Sequence, residues 1–210
     1  MAGYDKPDFW SLKAKKEGYP ARSVYKLEEI VAKFGLMKKG GSGAVGQGGG
    51  QGGPRILDIG AAPGSWSLWI LRRLGGQGSL VAVDIQGLGI DPKDENFSFF
   101  KGSILDEAIR STLRAAGPYS LVVSDAAPST TGNRLVDQGR SEELVESVMG
   151  LALEVLAPGA ALVMKIFQGG EEKRLIDELK THFAQARGYK PEACRAQSFE
   201  TYLVATGFKR

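Results

Sequence analysis

Two charged side chains occur where the sequence is otherwise apolar. Asp125 directly follows the run Leu121–Ser124, and Lys165 lies inside the run Ala161–Phe167. An unpaired ammonium is costly to bury, so such a lysine is either paired or kept neutral as a base. The alternatives are a strand-end lysine whose tip reaches solvent and an aspartate that caps a helix. The pattern makes Lys165 a candidate general base and Asp125 a candidate site residue.

A glycine-containing turn follows the first predicted strand. Its sequence is Asp58-Ile59-Gly60-Ala61-Ala62-Pro63-Gly64, and glycine lets a backbone approach a ligand without a Cβ clash. Ligands of open α/β sheets bind beyond the carboxyl ends of strands, so this position is suitable. The dinucleotide fingerprint G-x-G-x-x-G is missing, and Pro63 lacks an N–H donor that a pyrophosphate would use. The turn suits a phosphate-free cofactor such as S-adenosylmethionine, and a turn without any ligand is the alternative.

An acid also ends the second predicted strand. Asp84 follows Val81-Ala82-Val83, and its carboxylate could accept both hydroxyls of an adenosine ribose. A nicotinamide cofactor would use the same residue, and a lone aspartate at this place is often a turn residue. Trp66, in the helix after the glycine turn, could pack against the cofactor or belong to the core. Asp84 and Trp66 therefore do not identify the cofactor by themselves.

These residues need a sheet that brings strand ends together. Short apolar runs alternate with longer helical patterns, which predicts an α/β fold with a mostly parallel sheet and helices on both faces. Segments 192–198 and 201–205 are too close for an intervening helix, so they should form an antiparallel hairpin at the end of the sheet. The predicted strands are Arg55–Ile59, Leu80–Ile85, Phe97–Phe100, Leu121–Ser124, Ala161–Phe167 and Thr201–Ala205, and the predicted helices are Ser23–Phe34, Ser65–Leu74, Asp106–Ala115, Ser141–Leu156 and Glu171–Phe183.

Composition restricts the class of protein. A chain of 210 residues with 42% hydrophobic content fits one globular domain. No apolar run is long enough to cross a bilayer, and no signal peptide is recognisable, so a soluble protein in a cytoplasmic setting is expected. One cysteine and one histidine exclude an internal disulfide and make a His/Cys metal site implausible.

Positive charge and glycine are unevenly distributed. Residues 1–39 carry nine Lys and Arg against five Asp and Glu, whereas the other 171 carry 18 against 19. A basic N-terminal segment favours nucleic acid binding, and a solvated helix surface is the alternative. Residues 40–54 include nine glycines and no charge, which predicts a flexible loop. We therefore divide the chain into a basic segment and helix (1–39), a glycine-rich loop (40–54) and a catalytic domain (55–210).

Several separated motifs share the order and spacing of one enzyme family. A Lys-Asp-Lys-Glu set is formed by Lys26 in Val24–Glu29, Asp125 in Ser124–Pro128, Lys165 in Lys165–Gly169 and Glu200 in Ser198–Tyr202. The glycine turn, the segment Gly18–Ser23 and the closing run Tyr202–Gly207 accompany it. From about Asp8 to Gly207 the chain resembles the FtsJ/RrmJ family of RNA ribose 2′-O-methyltransferases.

This resemblance implies a Rossmann-like methyltransferase fold with a seven-stranded sheet, and S-adenosylmethionine as cofactor. It implies that Lys165 accepts the hydroxyl proton, that Asp125 orients Lys165, and that Glu200 positions Lys26 or the hydroxyl. The implied cofactor contacts are Gly60, Ala61, Pro63, Gly64, Trp66, Asp84, Ser103 and Asp125. Ser103 departs from the family, which often has an acid at this position near the adenine, so this contact should be weaker.

The resemblance also implies a substrate: a uridine of large-subunit ribosomal RNA, modified by a monomeric enzyme within the assembled large subunit. A transfer RNA is the alternative substrate. Two other classes remain, a nicotinamide-dependent oxidoreductase, which would need the missing G-x-G-x-x-G, and an inactive RNA-binding protein on the same fold. The intact set of Lys26, Asp125, Lys165 and Glu200 argues against an inactive protein.

Overall fold

The computed structural model describes residues 8–37, 53–128, 134–167, 172–195 and 198–209. Almost all of the predicted glycine-rich loop lies outside these residues, and so do Lys38 and Lys39. The helices are α1 (Phe9–Lys16), α2 (Val24–Phe34), α3 (Ser65–Leu74), α4 (Glu107–Ala116), α5 (Arg134–Val155) and α6 (Glu172–His182). The strands are β1 (Arg55–Ile59), β2 (Ser79–Asp84), β3 (Phe97–Lys101), β4 (Tyr119–Ser124), β5 (Leu156–Phe167), β6 (Phe183–Tyr189) and β7 (Glu200–Phe208).

The seven strands form one mixed sheet in the order β3-β2-β1-β4-β5-β7-β6. The first five are parallel, whereas β7 runs antiparallel between β5 and β6. The strand order reverses beside β1, and ligands of open α/β sheets bind at such a switch point. The predicted α/β class, the mostly parallel sheet and the antiparallel C-terminal end are confirmed.

Helices cover both faces of this sheet because side chains alternate along each strand. Leu57 of β1 and Val122 of β4 face a core formed with α4, α5 and α6. Ile56 and Val123, their sequence neighbours, face a second core that includes Ile30 of α2 and residues of α1 and α3. The helices α1, α2 and α3 therefore share the core on this face of the sheet that carries the candidate site.

The hairpin prediction was wrong in one strand. Residues 192–194 lie in a turn, and the partner of β7 is β6, Phe183–Tyr189, which follows α6 without a break. Only Phe183 and Ala186 of this edge strand are buried, so its sequence lacks the apolar run of an interior strand. Helix α1 was not predicted either; it begins after Asp8, whose carboxylate accepts the Ser11 amide hydrogen at 2.9 Å.

Candidate active site

A cavity of about 490 Å³ opens at the carboxyl ends of β1, β2 and β4. Four of the predicted cofactor residues line it: Gly60, Asp84, Ser103 and Asp125. Ile85 and Ile104 contribute apolar surface. The described residues that line this cavity include two carboxylates and no lysine or arginine. This charge pattern suits a cationic ligand better than a pyrophosphate.

The glycine turn passes close to the end of β4. Gly60 has φ +75°, and a Cβ there would lie 2.6 Å from the Ala126 Cα atom. Gly64 has φ +109°, and its Cβ would lie 2.5 Å from Ile90. Both positions therefore require glycine for conformation and for space. Ala61 is buried and Pro63 is exposed, and neither lies on the cavity wall.

Asp84 is fixed in orientation by the backbone around it. Its Oδ2 accepts the Ala62 amide hydrogen at 2.9 Å, and its Oδ1 accepts that of Gln86 at 2.7 Å. Each oxygen keeps a free lone pair for a ribose hydroxyl. Ser103, across the cavity, accepts the Leu105 amide hydrogen at 3.2 Å and can still donate its own hydroxyl hydrogen.

Trp66 lies away from the cavity wall. Its side chain is buried, its indole N–H donates to the Ser23 carbonyl at 2.8 Å, and its ring lies 5.9 Å from that of Tyr202. These contacts join α3 to the start of α2 and to β7. In this structure Trp66 positions α2, and the predicted direct contact with the cofactor stays a prediction.

Lys165 and Asp125 form one ion pair of the tetrad. The Lys165 Nζ atom lies 3.2 Å from Asp125 Oδ1 and donates to the Asp125 carbonyl oxygen at 2.5 Å. Only 9% of the Lys165 side chain is exposed, so the lysine inside the apolar run is paired rather than solvated. In the free protein Lys165 thus donates hydrogen bonds to Asp125.

Lys26 and Glu200 form the other pair, with 2.7 Å between Nζ and Oε1. Both side chains are largely buried. Burial raises the pKa of Glu200, but hydrogen bonds from Lys26 and Cys194 and the charges of Lys26 and Lys165 outweigh it, so the pKa is lowered. Because the charges of both lysines lower the pKa of Glu200, the two pairs belong to one electrostatic cluster.

Tyr202 joins the two pairs and was missed as a site residue. Its hydroxyl donates to Asp125 Oδ1 at 2.7 Å, and its ring centroid lies 6.0 Å from the Lys26 Nζ atom. The side chain is fully buried, and burial together with the negative charge of Asp125 raises its pKa well above the ordinary value. A tyrosine two residues after Glu200 in an extended strand was the available signal, since alternation places both on one face.

Asp58, the first residue of the glycine turn motif, is completely buried and interacts electrostatically with the cavity residues Asp84 and Asp125. Ser67 donates to its Oδ2 at 2.6 Å, and Oδ1 has no hydrogen-bond partner among the described residues. Burial raises the pKa of Asp58 to about 7 against the hydrogen bond from Ser67, with further increases from the charges of Asp125 and Asp84. Sequence reasoning treated this residue only as part of the motif.

Two kinds of feature are missing from the part of the chain that the structure describes. It holds no group of three or more His, Cys, Asp or Glu side chains that could bind a metal ion. No helix in that part is long and apolar enough to cross a membrane.

Residues 19–208 match the model of the FtsJ-like methyltransferase family. The ribosomal RNA large subunit methyltransferase E of Treponema denticola is 46% identical over 206 residues, 98% of this chain and 97% of that protein. The enzyme of the same name from Borreliella afzelii is 44% identical over 201 residues, 96% of this chain and 98% of that protein.

Solved structures agree with these relatives. A ribosomal RNA methyltransferase of Plasmodium falciparum is 27% identical, with a TM-score of 0.71 over 90% of this chain and 98% of that chain. The O-methyltransferase TomG from Streptomyces achromogenes, solved in complex with SAM, shares the fold at 17% identity, with a TM-score of 0.57 over 98% of this chain and 92% of that one. The chain belongs to the FtsJ-like methyltransferase family.

Proposed function

We propose that this protein transfers a methyl group from S-adenosylmethionine to a ribose 2′-hydroxyl in large-subunit ribosomal RNA, at a uridine. The observation that supports this most directly is that the Lys165–Asp125 pair adjoins the acid-lined cavity. Asp125 takes part in both, so a proton acceptor lies next to the place where a cationic methyl donor fits. The names of the relatives from Treponema denticola and Borreliella afzelii support the ribosomal substrate.

The residues of the cavity fit this cofactor. A volume of about 490 Å³ is within the range of small-molecule sites. Asp84 would accept the ribose hydroxyls, Ser103 would face the adenine, and Asp125 would lie nearest the positive charge. When bound, S-adenosylmethionine supplies an electrophilic methyl group on a sulfonium. Among the described residues that line the cavity there is no lysine or arginine, which argues against a nicotinamide dinucleotide.

In the proposed mechanism the chain's own residues prepare the ribose hydroxyl. The amine of Lys165, in its neutral form, accepts the hydroxyl hydrogen. Asp125, held by Tyr202, keeps the Lys165 amine in place. Glu200 holds Lys26 beside them, and the Lys26 ammonium stabilises negative charge that develops on the oxygen. Holding the hydroxyl in this orientation supplies much of the expected rate.

The RNA backbone would follow the basic N-terminal segment. Lys15, Arg22 and Arg195 line a surface groove of about 640 Å³ between α1 and the segment Gly89–Ile90. Lys15 and Lys16 are exposed. Arg22 is partly used within the protein, because it pairs with Asp8 and donates to the Ala193 carbonyl. Contacts between these basic side chains and RNA phosphates would give affinity without reading the identity of the bases. The specificity must therefore come from the structure of the RNA.

The decisive experiment offers purified large ribosomal subunits, from cells lacking this enzyme, and transfer RNA side by side with labelled cofactor. We expect label in the ribosomal RNA, and mass spectrometry of its nucleosides should show 2′-O-methyluridine. Label in transfer RNA alone would refute the ribosomal substrate and leave the 2′-O chemistry intact. Methylation of a base would refute the chemistry. Lys165→Ala is the control that shows that transfer depends on the tetrad.

We propose that residues 1–39 and 55–210 act as one catalytic unit, because Lys26 and Glu200 pair across them.

All four tetrad residues come from one chain, which supports a monomer. A cytoplasmic location follows from the proposed substrate, since bacterial relatives carry the ribosomal name. Light scattering of the purified protein tests the monomer.

A further inference from the structure

A large aromatic side chain is exposed beside the tetrad. Phe167 is the last residue of β5, and 44% of it is accessible to solvent. It follows the proposed base Lys165 by two residues. A single exposed apolar side chain often has no function. At the edge of a substrate site, however, it is a candidate for direct contact with the substrate.

The sheet register places Phe167 on the same face as the tetrad. Lys165 is the ladder partner of Tyr202, and Phe167 is the ladder partner of Glu200. Ladder partners, and residues two apart on one strand, point to the same side of a sheet. The Phe167 ring centroid lies 5.9 Å from the Lys165 Nζ atom. A nucleotide whose 2′-hydroxyl reaches Lys165 therefore carries its base, attached to the neighbouring ribose carbon, close to this ring.

We propose that the Phe167 ring stacks on the base of the nucleotide that is methylated. This inference rests on the proposed function, because it requires an RNA ribose at Lys165. Every nucleobase has a flat π face, so stacking on a phenyl ring gives affinity and orientation without reading base identity. The ring holds the base while Lys165 and Lys26 contact the ribose, which fixes the nucleotide at two points.

The test compares three substitutions at this position. Phe167→Leu keeps an apolar side chain and removes the flat ring, whereas Phe167→Tyr and Phe167→Trp keep a ring. Methyl transfer to large ribosomal subunits that lack the modification gives KM and kcat for each variant. Removing a stacked ring raises KM for the ribosomal subunit about ten-fold. The tyrosine and tryptophan variants keep KM near the wild-type value, and KM for S-adenosylmethionine is unchanged in all three.

The value of kcat and the pH profile separate stacking on the nucleobase from an effect on the general base Lys165. At 5.9 Å the ring also faces the Lys165 amine, so a ring that acts through Lys165 would change kcat and displace the pH profile of the reaction. Stacking leaves the pH profile of Phe167→Leu unchanged.

An unchanged KM in the leucine variant, or a tryptophan variant as impaired as leucine, would overturn the proposal. Wild-type protein that does not label ribosomal RNA would instead overturn the proposed function.

Discussion

Asp58 offers a quantitative test of the electrostatics around the carboxylates of the site. Its carboxyl is fully buried with one oxygen unpaired, and its pKa is raised from 3.8 to about 7. A carboxyl whose pKa is higher in the folded than in the unfolded protein stabilises the fold most at low pH. That contribution is lost as the pH rises from the pKa of the carboxyl in the unfolded protein to its pKa in the folded protein. The protein should therefore lose stability through this residue between about pH 4 and pH 7.

The size of the effect follows from the same two values. A rise from 3.8 to about 7 corresponds to about 4 kcal/mol of unfavourable free energy when Asp58 is charged in the folded protein. Between pH 5 and pH 8 the residue should lower the free energy of unfolding by about 2–3 kcal/mol. Asp58→Asn cannot titrate, and its side-chain oxygen can still accept the hydrogen bond from Ser67. Its amide hydrogens would have no acceptor among the described residues, and this holds at every pH.

Urea unfolding of the wild type and of Asp58→Asn at several pH values measures the difference in stability. From pH 5 to pH 8, the free energy of unfolding of the wild type should fall by about 2–3 kcal/mol relative to that of the asparagine variant. Ser67→Ala is the matched control. It removes the hydrogen bond that lowers the pKa of Asp58, so its loss of stability should extend to higher pH. A wild-type minus asparagine difference that stays flat with pH would refute the reasoning.

Other predictions concern the reaction and its ligands. Lys165→Ala should lower kcat by about 10²–10⁴-fold with little change in cofactor affinity, and Lys165→Arg should also fail, because a guanidinium keeps its proton; wild-type turnover in either would remove the proposed base. Asp84→Ala should weaken cofactor binding by about 1–3 kcal/mol in calorimetry, and unchanged affinity would remove Asp84 from the site. Binding of ribosomal RNA should weaken with salt, and a Lys13/Lys15/Lys16 triple alanine variant should show a smaller salt dependence; equal slopes would contradict the proposed backbone path. Shortening residues 40–54 to three or four residues should leave turnover intact, and a large loss would show that the segment has a function.

Most of the sheet could be predicted because its interior strands are continuous apolar runs. Arg55–Ile59 and helix Ser65–Leu74 have the predicted bounds, since a glycine turn separates them and Gly75 ends the helix. The edge strand β6 could not be predicted from its pattern, because its outer side meets solvent and α6 continues into it. Helix α5 begins seven residues earlier than predicted, at Arg134 instead of Ser141.

The site was only partly predictable. The resemblance implied that Asp125 orients Lys165, but it left open whether Glu200 positions Lys26 or the hydroxyl. The structure pairs Glu200 with Lys26, and this could not be settled earlier because only the packed fold decides which charges meet. Tyr202 and Asp58 were not singled out from the sequence for the same reason. Their roles depend on burial and on partners far along the chain, such as Asp125 for Tyr202, which only the packed fold defines.

The tetrad is complete only because α2 is fixed against the sheet. Lys165 follows Val163 by two residues and so points toward the core that α2 covers, which is the side from which Lys26 approaches. The position of α2 is set at its start by the hydrogen bond from Trp66 to Ser23. Near its middle, Glu29 accepts hydrogen bonds from the backbone of Glu192 at 2.9 and 3.1 Å and from the Tyr189 hydroxyl. Since Tyr189 belongs to β6 and Glu200 begins β7, the same antiparallel strands that hold α2 also carry the partner of Lys26. The geometry of the tetrad is therefore a property of how the N-terminal helix docks on the C-terminal strands.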